Sequence, residues 1–174
     1  MAARKANGRL ISVRELVTMA LLTALLLGTQ VALAALPNIE LVSLLIVLYT
    51  LFFRWKALLM IYTFVLLEGL IYGFGHWFVI YLYVWVVLWA ATMLLKNMKD
   101  KIGWVILLGG FGLVFGLLCA IPSLLIGGIG LAASYFISGI PYDLVHCAGN
   151  VAVALVLFQP LYRLFEKVLP GLME

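Results

Sequence analysis

Long blocks of apolar residues, broken only by short polar or glycine-rich stretches and showing no strict alternation, run through the chain. Unbroken runs of this kind predict helices rather than strands. A helix needs roughly 17 to 25 mostly apolar residues to cross a bilayer, and in lipid only helices and closed barrels satisfy every backbone group. The first block extends from about Val13 to Ala35. Leu36-Pro37-Asn38-Ile39-Glu40 forms a short connection, and a second, short span runs from Leu41 to about Phe53, ending at Arg54-Trp55-Lys56. The third covers about Ala57 to Tyr72. Gly73-Phe74-Gly75-His76 turns the chain into a fourth, aromatic-rich span from about Trp77 to Leu95. After the charged loop Lys96-Asn97-Met98-Lys99-Asp100-Lys101, a fifth span starts near Ile102 and reaches about Ile121, where Pro122 interrupts it. Residues 123–140 are apolar but carry Gly127, Gly128, Gly130 and Gly139. They are read as an extension of the fifth helix followed by a glycine-rich segment folded over the outer mouth. The sixth span runs from about Tyr142 to Phe165. The pattern predicts an all-α integral membrane protein, with six transmembrane helices in a single domain over residues 1–174.

Composition supports this class: 67% of residues are hydrophobic and 10% charged, where a soluble domain carries about a quarter charged residues. Ala32-Leu33-Ala34 after a basic head has the look of a signal-peptidase site. The apolar stretch from Leu16 onward exceeds the ~7 to 15 residues of a signal core, so it is read as a retained helix. Charge fixes the count of spans. With six, all eleven basic residues (Arg4, Lys5, Arg9, Arg14, Arg54, Lys56, Lys96, Lys99, Lys101, Arg163, Lys167) fall at one membrane face. By the positive-inside rule that face is cytoplasmic, with both termini inside. A seventh span over 123–140 would send Arg163 and Lys167 outside. The net charge of +4 then reflects topological anchoring and calls for no nucleic-acid partner; the expected location is a bacterial cell membrane, crossed several times.

The outer half of this arrangement holds Gln30, Asn38, Glu40, Glu68, His76, Asp143, His146 and Asn150, and no Lys or Arg. Glu68 sits about 7 Å below the outer end of its helix at 1.5 Å per residue, a depth at which an ionisable group marks a candidate site. The plainer alternative is a neutral Glu68 bonded to a neighbouring helix. Asp143, His146 and Asn150 are spaced i, i+3, i+7 and share one helix face, with Pro141 suited to the first turn. Asp143 in that turn could instead offset the helix dipole, and His146 could hydrogen-bond within the bundle. Trp77, Tyr81, Trp85 and Trp89 form an i+4 aromatic ladder able to stack on a flat heterocycle; Trp77 and Tyr81 also suit an interfacial belt. Carboxylates and amides without a cationic side chain disfavour a ligand with a bare carboxylate or phosphate. The expected solute is neutral, zwitterionic or cationic, and the residues expected to hold it are Asn38, Glu68, His76, Tyr81, Trp85, Tyr142, Asp143, His146 and Asn150.

Two helices carry ridges of small residues: Ala20, Ala24, Gly28 and Ala32 on the first, and Gly112, Gly116 and Ala120 on the fifth. Such ridges let helices approach backbone to backbone in lipid. Either could serve internal packing or a partner subunit; Ala20 and Ala24 lie in the cytoplasmic half, a sensible place for docking. No HExxH, G-x-S-x-G or Walker sequence is present, so no enzyme activity is expected. Cys147 points about 100° away from His146 on a helix, which spoils a thiol triad. His76 and His146 offer too little for haem or a transition metal, and Cys119 and Cys147 show no CxxC spacing. No cofactor and no metal are expected.

The Ala20-x-x-x-Ala24 ridge, the Leu36-Pro37-Asn38-Ile39-Glu40-Leu41 turn and the Gly-Ile-Pro-Tyr-Asp-Leu-Val-His string from Gly139 resemble the S components of energy-coupling factor (ECF) vitamin transporters. The likeness covers nearly the whole chain. It implies a substrate-capturing subunit that binds a vitamin at its outer side. It further implies a transmembrane coupling subunit and two cytoplasmic ATPases as partners, docking through the alanine ridge, and toppling in the membrane to release cargo. The ion-specific members of that family carry a histidine-containing N-terminus, which Met1-Ala2-Ala3-Arg4 lacks. The chain looks most like the cobalamin-specific branch; pyridoxine, hydroxymethylpyrimidine or a deazapurine satisfies the same polarity argument.

Overall fold

The computed structural model describes residues 11–173; Arg4, Lys5 and Arg9, and with them the placement of the N-terminus, lie outside the described residues. Helices account for all regular structure among those residues: α1 (Val13–Leu33), α2 (Val42–Phe53), a 3-10 turn (Arg54–Lys56), α3 (Ala57–Tyr72), α4 (His76–Leu94), α5 (Lys101–Cys119) and α6 (Ile121–Met173). Five stretches are long and apolar enough to cross a membrane, the second being Val42–Tyr72 taken as a whole. Local chemistry sets the boundaries. Ser12 caps α1 by accepting the Glu15 N–H at 3.1 Å, and Asp100 caps α5 by accepting that of Ile102 at 3.1 Å; each satisfies a donor that the first helical turn leaves orphaned. α3 stops at Gly73, whose φ of +86° suits a residue without a Cβ.

Val42–Tyr72 doubles back at Arg54, which takes φ 57° and ψ −120°. Lys56 at the start of α3 pairs with Glu15 at the start of α1, 2.7 Å apart, while Glu68 near the end of α3 shares a cavity with Gln30 and Ala34 near the end of α1. α1 and α3 therefore run parallel, with α2 antiparallel to both; the Tyr49 hydroxyl fixes its level by donating to the Leu22 carbonyl at 2.8 Å. α2 is the central post, with ten of its twelve residues buried, and a helix apolar on every side is stable only when enclosed. The eight basic residues that are described gather at one end. Arg54 there accepts, through its carbonyl, the Trp89 indole N–H at 3.1 Å, and Arg54, Lys96 and Lys99 border one groove with Tyr162. Lys101 donates to the Leu155 carbonyl, and Arg14 faces the segment of α6 that carries Arg163 and Lys167.

α5 and α6 form the tightest pair. A methyl added at Gly112 would stand 2.7 Å from the Cys147 backbone nitrogen, and one at Gly116 would collide with the Asp143 carboxylate. Trp104 stacks on Phe158 with centroids 5.8 Å apart. This register continues past the other helices, where Cys119 faces Tyr135 and Ser138 across a cavity, and the chain reverses at Gly128 (φ 71°, ψ −168°). Here the sequence reading needs correction. Residues 121–127 do extend the fifth helix, but residues 129–140 are helical and run directly into the last span instead of folding over the mouth. One glycine with positive φ makes the turn; the other three are accommodated within helix. Pro141 and Asp143 consequently lie inside a helix and not in its first turn, which removes the dipole-compensation role for Asp143.

Candidate solute site

At the end of the bundle opposite the basic residues, three adjoining cavities open between α1, α3, α4, α5 and α6. The central one, about 150 Å³, is lined by Gln30, Asn38, Glu40, Tyr81, Trp85, Phe115 and His146 and covered by the connection from Leu33 to Glu40. The second, about 250 Å³, shares Gln30, Ala34 and Tyr81 with it and adds Glu68, Tyr72 and Trp77. The third, about 330 Å³, shares Asn38 and Phe115 and adds Asp143, Cys119, Tyr135, Ser138 and Tyr142. A larger groove of about 610 Å³ lies at the basic end between α1 and the last turns of α6, but it is almost wholly apolar, with Arg14 and Thr18 its polar lining residues. The polar chemistry is at the other end.

Asp143, His146 and Asn150 do share a buried face of α6, and each meets a different partner. Asp143 Oδ1 accepts the Gly116 N–H at 2.9 Å, an approach open only because residue 116 has no side chain. His146 Nε2 lies 3.2 Å from Glu40 Oε1. Asn150 donates to the Leu108 carbonyl at 3.2 Å, so it belongs to the α5–α6 seam and lines none of the three cavities. Glu40 is held a second time, through Oε2, by the Ser43 N–H at 2.8 Å. One carboxylate thus caps α2 and ties the covering connection to α6. Asn38 within that connection takes φ 58°, a left-handed conformation that Asn tolerates better than most side chains, and its carbonyl lies against Gly149.

Three rungs of the aromatic ladder stand in the site: Trp77 on Tyr81 at 5.4 Å and Tyr81 on Trp85 at 5.2 Å, both edge to face. The run continues to Phe115, 5.9 Å from Trp85, and from Phe115 to His146 at 4.8 Å. Trp89, the fourth rung, is instead at the basic end, 4.6 Å from Trp55. His76 opens α4, is exposed, and borders none of these cavities; Tyr142 is 62% exposed at the rim of the third. Sequence reasoning missed Glu40 as the partner of His146, although an acid just before a helix is a recognisable cap. It also missed Gln30, Phe115, Cys119, Tyr135 and Ser138 as lining residues; nothing in their spacing marks them.

Several polar atoms here have no partner among the described residues. Trp85 Nε1, His146 Nδ1 and Asp143 Oδ2 are buried and unbonded. The Glu68 carboxyl, on a residue 2% exposed, makes no hydrogen bond to another described residue. Such a group costs about 1 to 3 kcal/mol, and buried groups are ordinarily satisfied; Glu68 lines the second cavity, where a polar ligand would complete it, whereas Trp85 Nε1, His146 Nδ1 and Asp143 Oδ2 are closed off from the cavities. No group of three or more His, Cys, Asp or Glu able to hold a metal ion occurs among the described residues. The two small-residue ridges part company: Gly112, Gly116 and Ala120 are buried at the seam, whereas Ala20, Ala24, Gly28 and Ala32 are all exposed. No family model matches the chain, and no curated protein or solved structure does either.

Proposed function

We propose that this chain is a solute-capture subunit of an ECF-type importer in a bacterial cell membrane. The observation that carries the reading is Glu68, buried and without a hydrogen-bond partner among the described residues, lining one of three adjoining cavities at the end away from the basic residues, none of them lined by a Lys or Arg. In this reading the chain crosses the bilayer six times, α2 and α3 counting separately, with the basic end and both termini in the cytoplasm. The cavities then open outward, under the connection Leu33 to Glu40. The exposed Ala20-x-x-x-Ala24 ridge faces away from the bundle, free for a transmembrane coupling subunit that works with two cytoplasmic ATPases. Catalytic chemistry plays no part.

The solute is a vitamin or vitamin precursor, neutral or positively charged. Chambers of about 150, 250 and 330 Å³ suit a single flat heterocycle with a short substituent better than a corrinoid, since pockets for drug-sized ligands run from roughly 300 to 1,000 Å³. A pyridine, pyrimidine or deazapurine therefore takes precedence here over cobalamin. The test is a calorimetric and thermal-shift screen of the purified protein against vitamins and their precursors. A ligand at 100 times its Kd raises stability by about 2.7 kcal/mol. A membrane scaffold that binds no small molecule is the competing reading, and a protein left unshifted by every compound in the screen would count against vitamin capture and favour it.

A further inference from the structure

We infer that the cavity at Glu68 receives the positively charged end of the solute, and that this end is an N-substituted aromatic ring with its charge spread over the ring. The inference rests on the capture reading and names the class of solute within it. Glu68 is 2% exposed and unpaired among the described residues, and no Lys or Arg lines any of the three adjoining cavities. A buried carboxylate without a counter-charge is strongly unfavourable and takes up a proton instead; a cationic solute would supply the charge that keeps Glu68 ionised. The chemistry of that cation follows from the walls. Trp77, Tyr81 and Tyr72 surround the carboxyl with one amide, that of Gln30. Calcium takes six to eight oxygen ligands, far more than one carboxylate and one amide supply. A compact ammonium is strongly hydrated, whereas a delocalised ring cation sheds water readily and gains from aromatic faces, by about 2 kcal/mol or more when desolvated.

The probes are the 3-carbamoyl-1-methylpyridinium cation and nicotinamide, its uncharged counterpart, titrated against the purified full chain by calorimetry and tryptophan fluorescence. The cation should bind at least about 30-fold more tightly than nicotinamide. Glu68→Gln should weaken the cation and bring the two within about threefold, and Glu68→Asp should keep the preference. Equal affinities for the unaltered protein, or a preference that survives Glu68→Gln, would overturn the assignment; the comparison on the unaltered protein stands even if a variant fails to fold. A vitamin from the wider screen that binds with an affinity indifferent to Glu68→Gln likewise overturns the cation assignment and leaves capture intact. Absence of binding by any compound overturns both.

Discussion

The same face of α6 serves two regions built on opposite rules. Along the α5–α6 seam, glycine brings backbones into contact, and Asn150 finds the Leu108 carbonyl. Toward α1, α3 and α4, aromatic side chains line cavities between the helices, and Glu68 is left without a partner among the described residues. Asp143 stands at the border: its carboxylate lies over Gly116 in the seam, one oxygen accepting the Gly116 N–H, and the residue also lines the third cavity. In lipid, helices gain nothing from hydrophobic exclusion and hold together by packing and polar contacts. Close contact therefore has to be concentrated somewhere if another part of the bundle is to stay hollow.

Breaking the seam should have the largest effect. At Gly112 an added Cβ meets main-chain atoms of His146 and Cys147 at 2.7 to 2.9 Å, and backbone cannot rotate away as a side chain can. Gly112→Val should cost about 3 kcal/mol or more, seen as a large fall in the thermal unfolding temperature in detergent. Gly110→Ala, two residues away with nothing within 4 Å of the new carbon, should be neutral or stabilising by up to about 1 kcal/mol through helix propensity. Equal losses at both positions would mean that α5 and α6 are not in this register.

A smaller, crossed effect separates seam from cavity. Asn150→Ala removes a buried bond and should destabilise by about 1 to 2 kcal/mol with solute affinity little changed. His146→Ala should do the reverse, weakening solute binding about tenfold or more through loss of a lining group and of the tie to Glu40. Finding both variants alike in stability and affinity would erase the distinction between the two regions. Glu40→Gln sharpens it further. The amide still accepts the Ser43 N–H but loses charge toward His146, so amide exchange in residues 33–40 should quicken by about tenfold, a local effect of roughly 1.4 kcal/mol. Exchange unchanged there would mean that the covering connection is held by packing alone.

How far the sequence carried this division depends on distance along the chain. Local signals were legible: the start of α1 near Val13, the turn at Arg54, the shared face of Asp143, His146 and Asn150, and the gathering of basic side chains at one end. Pairings between distant residues were not. His146 and Glu40 are 106 positions apart, and no periodicity announces that one will secure a connection over the other. Trp77, Tyr81, Trp85 and Trp89 looked like one ladder because the spacing is uniform, yet a helix nineteen residues long spans both ends of the bundle and its last rung cannot reach the site. The glycines of 123–140 misled for a related reason. Glycine permits a left-handed turn without requiring one, and the structure uses that freedom only at Gly128.

The ridges of α1 and α5 show the same limit and provide the gentlest test. Both are small residues at i+4 spacing, and only the fold reveals that one is buried against α6 while the other is exposed. Ala20→Leu and Ala24→Leu add bulk to an outward face and should leave the isolated protein within about 0.5 kcal/mol of its original stability, with solute affinity untouched. If that ridge meets a coupling subunit, the same substitutions prevent the close backbone approach that small residues allow. Uptake in cells should then fall while binding by the purified chain does not. Gly28→Leu and Ala32→Leu, placed progressively farther from the basic end on the same stripe, map how far such a contact extends. Destabilisation of the isolated chain by Ala20→Leu would instead show the stripe to be packed within the bundle. Full uptake with both bulky variants would remove docking from the account of α1 while leaving the solute site as it stands.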